Sequence, residues 1–195
     1  MKNIPPELLE KYTLVCGVDE AGRGPLAGPV YAAAVILPQD AEIPGLDDSK
    51  KLSEKKREAL YDTICESALS WGVAFADVAE IEALNILQAD FLAMNRAIAQ
   101  LSPAPALALI DGNQNSGIEI ASRCVVDGDA LCASVAAASV IAKVTRDRYM
   151  RALAEQYPQY GFERHKGYGT KAHYAALRAY GPCPQHRPSF LKKLH

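Results

Sequence analysis

Val18-Asp19-Glu20-Ala21-Gly22-Arg23-Gly24-Pro25 closes an apolar run that begins at Leu14. The run reads as a buried strand, so Asp19 and Glu20 are the first polar groups where it leaves the core. Unpaired carboxylates are costly to bury, and two in succession at such a point call for a cation, a metal or solvent. A solvated turn is the ordinary fate of an Asp-Glu pair. The flanking glycines and the acids further along weigh against that here. Side chains alternate across a strand, so Asp19 and Glu20 share one metal site only if the chain bends between them and Arg23. Ala21-Gly22-Arg23-Gly24 is suitable material for that bend.

Outward from this stretch the elements alternate. Pro29 to Leu37, rich in Val, Ile, Tyr and Ala, is a second strand. Gly45 to Lys51 is a loop with Asp47, Asp48 and Ser49 as turn formers. Ser53 caps a helix to about Leu69, and Ser70 to Val78 makes a third strand. Leu84, Leu87, Phe91, Met94, Ile98 and Leu101 then recur at helical spacing, a stripe that is packing and ends at Ser102-Pro103. Ala106 to Ile110 is a short strand buried on both faces, running into Asp111-Gly112-Asn113. Ile118 to Val126 is a fifth strand, and Asp127-Gly128-Asp129 opens a helix from about Ala130 to Tyr157. A glycine-rich loop at His165–Thr170, a short helix through Tyr180 and a proline-bearing extended tail follow. This order predicts an α/β layered fold with a mixed sheet.

With 195 residues, 49% of them hydrophobic, the chain is expected to form one globular domain with a smaller C-terminal appendage. No apolar run reaches the roughly 18 residues that span a membrane. Met1 to Glu7 lacks the apolar segment of a secretory leader, so a cytoplasmic location is expected. Cys16, Cys65, Cys124, Cys132 and Cys183 form an odd, scattered set, which predicts reduced thiols. Charge is divided unevenly. From Lys143 onward 11 Lys+Arg face 3 Asp+Glu, whereas residues 1–142 hold 10 against 20. An acidic body with a basic tail suits an enzyme that collects metal in one half and grips a polyanion with the other.

Asp19 and Glu20 end one apolar strand, Asp111 ends another, and Asp129 opens a helix. Sites in open α/β sheets form beyond the carboxyl ends of strands. Oxygen ligands without paired His or Cys point to Mg²⁺ or Mn²⁺ rather than zinc. Such a cluster can hold two ions that activate water and steady the leaving oxygen of a phosphodiester. Gly22-Arg23-Gly24-Pro25-Leu26-Ala27 also fits the G-x-G-x-x-G/A dinucleotide fingerprint. That motif must open a helix, and here a strand follows, beside carboxylates that would repel a pyrophosphate.

Seven segments together resemble bacterial ribonuclease HII. They are Val18 to Pro29, Asp48-Ser49-Lys50-Lys51-Leu52-Ser53, Asn85 to Ala89, Ile110 to Asn113, Gly128-Asp129, Ala136 to Asp147 and His165 to Thr170. The resemblance runs from about Leu14 to Phe190. It implies an RNase H-like fold, a mixed five-stranded sheet flanked by helices, with a catalytic domain over residues 1–157. Residues 158–195 would form a substrate-binding loop and helical extension packed on the same domain. It also implies metal-dependent endonucleolytic cutting of the RNA strand in RNA–DNA hybrids and 5′ to single ribonucleotides in duplex DNA, leaving 3′-hydroxyl and 5′-phosphate ends. Asp19, Glu20, Asp111 and Asp129 match the family's metal-binding carboxylates, which would hold Mn²⁺ or Mg²⁺, two ions with substrate bound. Gly22, Arg23 and Gly24 match the loop that senses the ribose 2′-hydroxyl, and Tyr168 the tyrosine that packs on the next sugar. Lys50, Lys143, Arg146 and Lys166 would contact phosphates. The tail around Phe190 and Leu191 could dock a replication clamp, and the protein would act as a monomer.

Asp127 stands where the family often has a non-acidic residue, which leaves open whether it assists the site or competes as a ligand; a solvated turn is its plain reading. Asp147, between Arg146 and Arg148, is an ion-pair partner. His165, His173, His186 and His195 lack zinc spacing and read as surface histidines. Two rivals share part of this pattern. A junction resolvase would carry the acids without needing a 2′-hydroxyl, and a non-catalytic nucleic-acid-binding module would carry the basic tail without the acids.

Overall fold

The computed structural model describes residues 6–47 and 49–192. The expectations for Asp48, for His195 and for the first five residues lie outside these. A short helix α1 (Pro6–Lys11) leads into β1 (Val15–Ala21), β2 (Val30–Ile36), α2 (Glu54–Ser67), β3 (Ser70–Ala76), α3 (Val78–Leu84) and α4 (Ile86–Ile98). Next come β4 (Leu107–Asp111), β5 (Ser122–Val125), α5 (Gly128–Leu131), α6 (Ala133–Gln156), α7 (Phe162–His165) and α8 (Lys171–Tyr180). The strands form one sheet in the order β3-β2-β1-β4-β5. Pairing is antiparallel from β3 to β1 and parallel from β1 through β4 to β5, the mixed sheet expected of the sequence.

Period-two alternation sends the central strand's side chains to two different layers. Cys16 and Val18 of β1 join Ile110 of β4 and Phe91 and Met94 of α4 in one core. On the opposite face Val15 meets Val135 of α6, and Ala21 joins Ala137, Ala138 and Ile141 of that helix. The small residues of α6 let it lie very close to the sheet. A Cβ on Gly17 would sit 2.2 Å from the Ser134 backbone carbon.

Four elements differ from the sequence reading. The helix expected from Leu84 to Leu101 runs only from Ile86 to Ile98, with Leu84 ending α3 instead, because Asn85 takes φ 72° and its Oδ1 accepts from the N–H groups of Leu87 and Gln88. The third strand stops at Ala76, since Asp77 caps α3 in a reciprocal box with Glu80. Only Ser122–Val125 of the expected fifth strand pairs. Residues before it are held as loop by Asn95, which bonds Gly117 and Glu119, and by Asn115, which bonds Ser122. The helix expected from Ala130 breaks at Cys132, whose extended backbone separates α5 from α6.

The C-terminal region returns to the start of the chain. The backbone of Gln185 and Arg187 pairs with Gly28 and Leu26, and Gly167 accepts from Leu26, each at 2.8 Å. Leu26 and Ala27 pack with Met150, Tyr160, Phe162 and Leu177 in a third core. All five cysteines are free thiols. Among the described residues no helix is long and apolar enough to cross a membrane.

Candidate active site

The parallel register sets Val18 beside Ile110, so the next residues, Asp19 and Asp111, leave neighbouring strands at the same level and on the α6 face. Asp129 comes from the first turn of α5, and its N–H donates to Asp111 Oδ1 at 3.3 Å. The three residues each bring a carboxylate oxygen within 4.8 Å of the others. Asp19 and Asp129 are 4% and 5% exposed. Burial, then Glu20 and Asp111, push the Asp19 carboxyl well above the usual carboxylate range, opposed by the Glu20 N–H and Ser139. A compact, buried set of oxygen donors with mutually repelling charges is the chemistry a hard divalent cation relieves. Zinc would want softer or imidazole ligands.

Glu20 is placed differently from the expectation. β1 stays paired through Glu20 and Ala21, opposite Ala32 and Tyr31, and the chain turns only at Gly22, with φ 105°. The bend falls after both acids, so alternation leaves Glu20 on the α4 side of the sheet and outside the three-carboxylate cluster. There it lies 3.9 Å from Arg23 and beside Asp90 of α4. Burial raises its pKa, Arg23 lowers it, and Asp111 raises it across the strand end.

The loop after β1 is held from beneath by two buried arginines. Arg187, fully buried, donates to the carbonyls of Gly22, Arg23 and Gly28 at 2.7 to 3.0 Å. Arg146, 1% exposed, donates to Ala27, Pro29 and Lys166. Its expected role on phosphate is therefore corrected: its guanidinium is spent on three carbonyls with no face toward solvent. Lys166 is corrected likewise, being buried with its ammonium on the Glu163 carbonyl at 2.6 Å. Lys143 is tied to Asp147 at 2.6 Å, so Asp147 is the ion-pair partner expected. Lys50 is largely exposed and reaches Asp129 at 3.3 Å. Asp127 is exposed at φ 54°, ahead of α5 and outside the acidic cluster.

Tyr168 stands 44% exposed over this loop, and a Cβ on Gly24 would come within 3.7 Å of its ring. Its backbone is fixed by histidines that the sequence placed at the surface; His173 and His186 are instead buried. The Tyr168 carbonyl accepts from His173 Nδ1 at 3.0 Å, so His173 Nε2 must accept from His186 Nε2, also at 3.0 Å. That leaves His186 Nδ1 to accept the Cys183 N–H at 2.9 Å. Every link needs neutral rings.

Burial, then His173, push His186 from 6.5 down to about 4. Because the folded value lies below the unfolded one, this stabilisation is complete above about pH 6.5 and is lost as pH falls toward 4. The slope is up to ~1.4 kcal/mol per pH unit for one proton. Urea midpoints for the native chain and His186→Gln should converge as pH falls through that window. A constant gap between the two would refute the neutral relay.

A family model described as Ribonuclease HII matches residues 16–193. The chain belongs to the ribonuclease HII family. It is 59% identical over 185 residues to ribonuclease HII of Dechloromonas aromatica, covering 95% of this chain and 94% of that one. The crystal structure of ribonuclease H2 from Pyrococcus horikoshii superposes with TM-score 0.76 at 26% identity, covering 93% and 96% of the two chains. Bst-RNase HIII, solved in complex with Mn²⁺, shares the fold at TM-score 0.66 and 22% identity over 86% of this chain and 63% of its own. As a ribonuclease HII, the protein is a ribonuclease H-type hydrolase that cuts the RNA strand of RNA–DNA hybrids. The family's requirement for a divalent metal fits the oxygen-only cluster of Asp19, Asp111 and Asp129.

Three contributors to this ribonuclease HII site escaped the sequence reading. Ser139 is linked to Ser49 at 2.6 Å and bonds Asp19, inside a helix that reads as packing. Arg187 lies in the tail run Gln185–Leu191, where its type gave no hint of a loop 160 residues upstream. Asp90 is the one acid on the buried face of α4, and that break in an apolar stripe was the available signal. Phe190 is half-buried with Arg187 stacked over its ring at 5.1 Å, so the tail's aromatic lies against the body of the protein.

Proposed function

We propose that the chain hydrolyses the phosphodiester 5′ to a ribonucleotide, in hybrids and at single ribonucleotides embedded in duplex DNA, leaving 3′-hydroxyl and 5′-phosphate ends. What carries this reading is the convergence of Asp19, Asp111 and Asp129 within 4.8 Å, beside a loop whose shape is held by buried arginines. Asp19, Asp111 and Asp129 would hold Mn²⁺ or Mg²⁺, with Glu20 as a fourth acid from the other face and two ions once substrate is bound. The ions supply Lewis acidity for the attacking water and the departing oxygen.

The chain's own residues select the cut. Arg187 occupies the Gly22 and Arg23 carbonyls from below, which fixes the Gly22-Arg23-Gly24 loop for close approach to a 2′-hydroxyl, the group that separates RNA from DNA. Half-exposed Tyr168, anchored through His173, offers its ring to the neighbouring sugar. Lys50 reaches Asp129 of the acid cluster, and Lys50 and Lys143 would meet phosphate. Residues 1–157 then carry the chemistry, and residues 158–195 the grip that completes the loop.

The test offers four duplexes with Mn²⁺, Mg²⁺ or chelator: an RNA–DNA hybrid, DNA with one ribonucleotide, all-DNA, and a four-way junction. Cutting of the first two, only with metal and 5′ to the ribonucleotide, is the expected result. Cutting of the junction, or no cutting at a single ribonucleotide, would refute the proposal.

A further inference from the structure

We propose that Asp90 is a positioning residue for ribonucleotide selection, acting through Arg23; this rests on the recognition role given above to Gly22-Arg23-Gly24. The buried face of α4 is otherwise apolar, with Ala89, Phe91, Ala93, Met94, Ala97 and Ile98 packed under the sheet. Asp90 interrupts it at 1% exposure, and its Oδ1 is buried without a hydrogen-bond partner. Burial, then Glu20, push its carboxyl up to about 8 against the pull of Arg23, so keeping an acid there opposes folding, and an apolar or neutral residue of similar size would stabilise the helix packing better. Its value must lie in what the other oxygen does. Oδ2 is 3.5 Å from Nε of Arg23, the inner edge of the guanidinium.

Arg23 spans two acids. Its Nε faces Asp90, while Nη1 is 3.9 Å from Glu20, and the side chain is 47% exposed. A long arginine on a turn has many rotamers to choose from, and only an anchor near its root limits them. Asp90 supplies that anchor from a rigid helix and keeps the outer Nη atoms at the solvent edge of the loop, where a duplex would lie. Without it the acid left beside Arg23 is Glu20, and the guanidinium would fold onto a carboxylate of the metal site and away from substrate.

The experiment measures steady-state cleavage of a duplex containing one ribonucleotide, with the matching all-DNA duplex as competitor, for the native chain, Asp90→Asn, Arg23→Ala and the double variant. Asp90→Asn should raise KM about tenfold with kcat within about twofold, and leave the competitor's Ki unchanged. Its Tm should equal or exceed the native value, since a buried carboxyl that burial and Glu20 push up to about 8, and whose Oδ1 has no hydrogen-bond partner, has been removed. A merely structural residue would lose stability and function together. On the Arg23→Ala background Asp90→Asn should add nothing, whereas multiplied losses would mean that it does not act through Arg23 and would overturn the proposal. If Arg23→Ala raises KM and Asp90→Asn does not, the positioning role alone is refuted. If Arg23→Ala leaves KM unchanged, the recognition reading beneath it fails instead. Asp90→Thr is carried in parallel, so that a folding failure of one variant leaves the other to decide.

Discussion

Asp111→Asn should reduce cleavage by about a thousandfold or more, roughly 4 kcal/mol of transition-state stabilisation, while duplex affinity stays within about threefold of native. The substitution is isosteric, and the remaining amide oxygen can still accept the Asp129 N–H now at 3.3 Å from Asp111 Oδ1. What disappears is one of three charges gathered within 4.8 Å, and with it the hardness of the donor set. Binding should survive because removing a carboxylate beside a polyanion lessens repulsion, and the proposed grip comes from Arg23, Tyr168 and Lys50. In chelator the variant's Tm should match or exceed the native value, since the burial and neighbouring charges that raise Asp19 would be partly relieved. Turnover close to native would refute the metal role, and loss of binding alongside activity would mean that Asp111 serves the fold. The comparison is made at fixed Mn²⁺ concentration by single-turnover cleavage and by titration of labelled duplex.

Gly17→Val should destabilise the chain by about 4 kcal/mol or more, a large part of the ~5–15 kcal/mol that holds a domain of this kind together. The cause is steric. Even the first carbon of a side chain would lie 2.2 Å from Ser134 C and 2.3 Å from Val135 N, and both are backbone atoms of α6 that no rotamer change can move. Relief requires α6 to shift off β1, which would also carry Ser139 away from Asp19. Gly24→Ala is the control, because its Cβ would meet nothing closer than 3.7 Å and its backbone needs no left-handed conformation. Urea midpoints should fall sharply for Gly17→Val and stay near native for Gly24→Ala. Equal stabilities would mean that the helix is not seated on the strand as described.

Much of this was legible because it depends on local pattern. The apolar runs at Leu14–Val18 and Ala106–Ile110 gave the two central strands, and the acids at their ends gave Asp19 and Asp111. Side-chain traps at element ends were harder. Asn85 interrupts a helical stripe by capping against its own backbone, and the stripe's periodicity runs on regardless. Long-range use of cations was not legible at all. Arg146 and Lys166 sit in a basic region and look like phosphate ligands, yet which cations face inward depends on where the tail and the Gly22–Pro29 loop meet. Glu20 shows the limit most plainly. Its type is one a metal takes, and the face from which it could serve is decided by how many residues of β1 stay paired before Gly22 turns.

Arg187 bonds Gly22 from 165 positions further along the chain. The loop at residues 22–28 therefore has its Gly22, Arg23 and Gly28 carbonyls satisfied only when the tail lies back against it. A chain that has emerged through Asp129 already owns every carboxylate of the cluster but lacks the guanidinium that holds the loop beside it. A chain stopped short of residue 187 would carry the acids of the cluster without the guanidinium that bonds the Gly22, Arg23 and Gly28 carbonyls beside them.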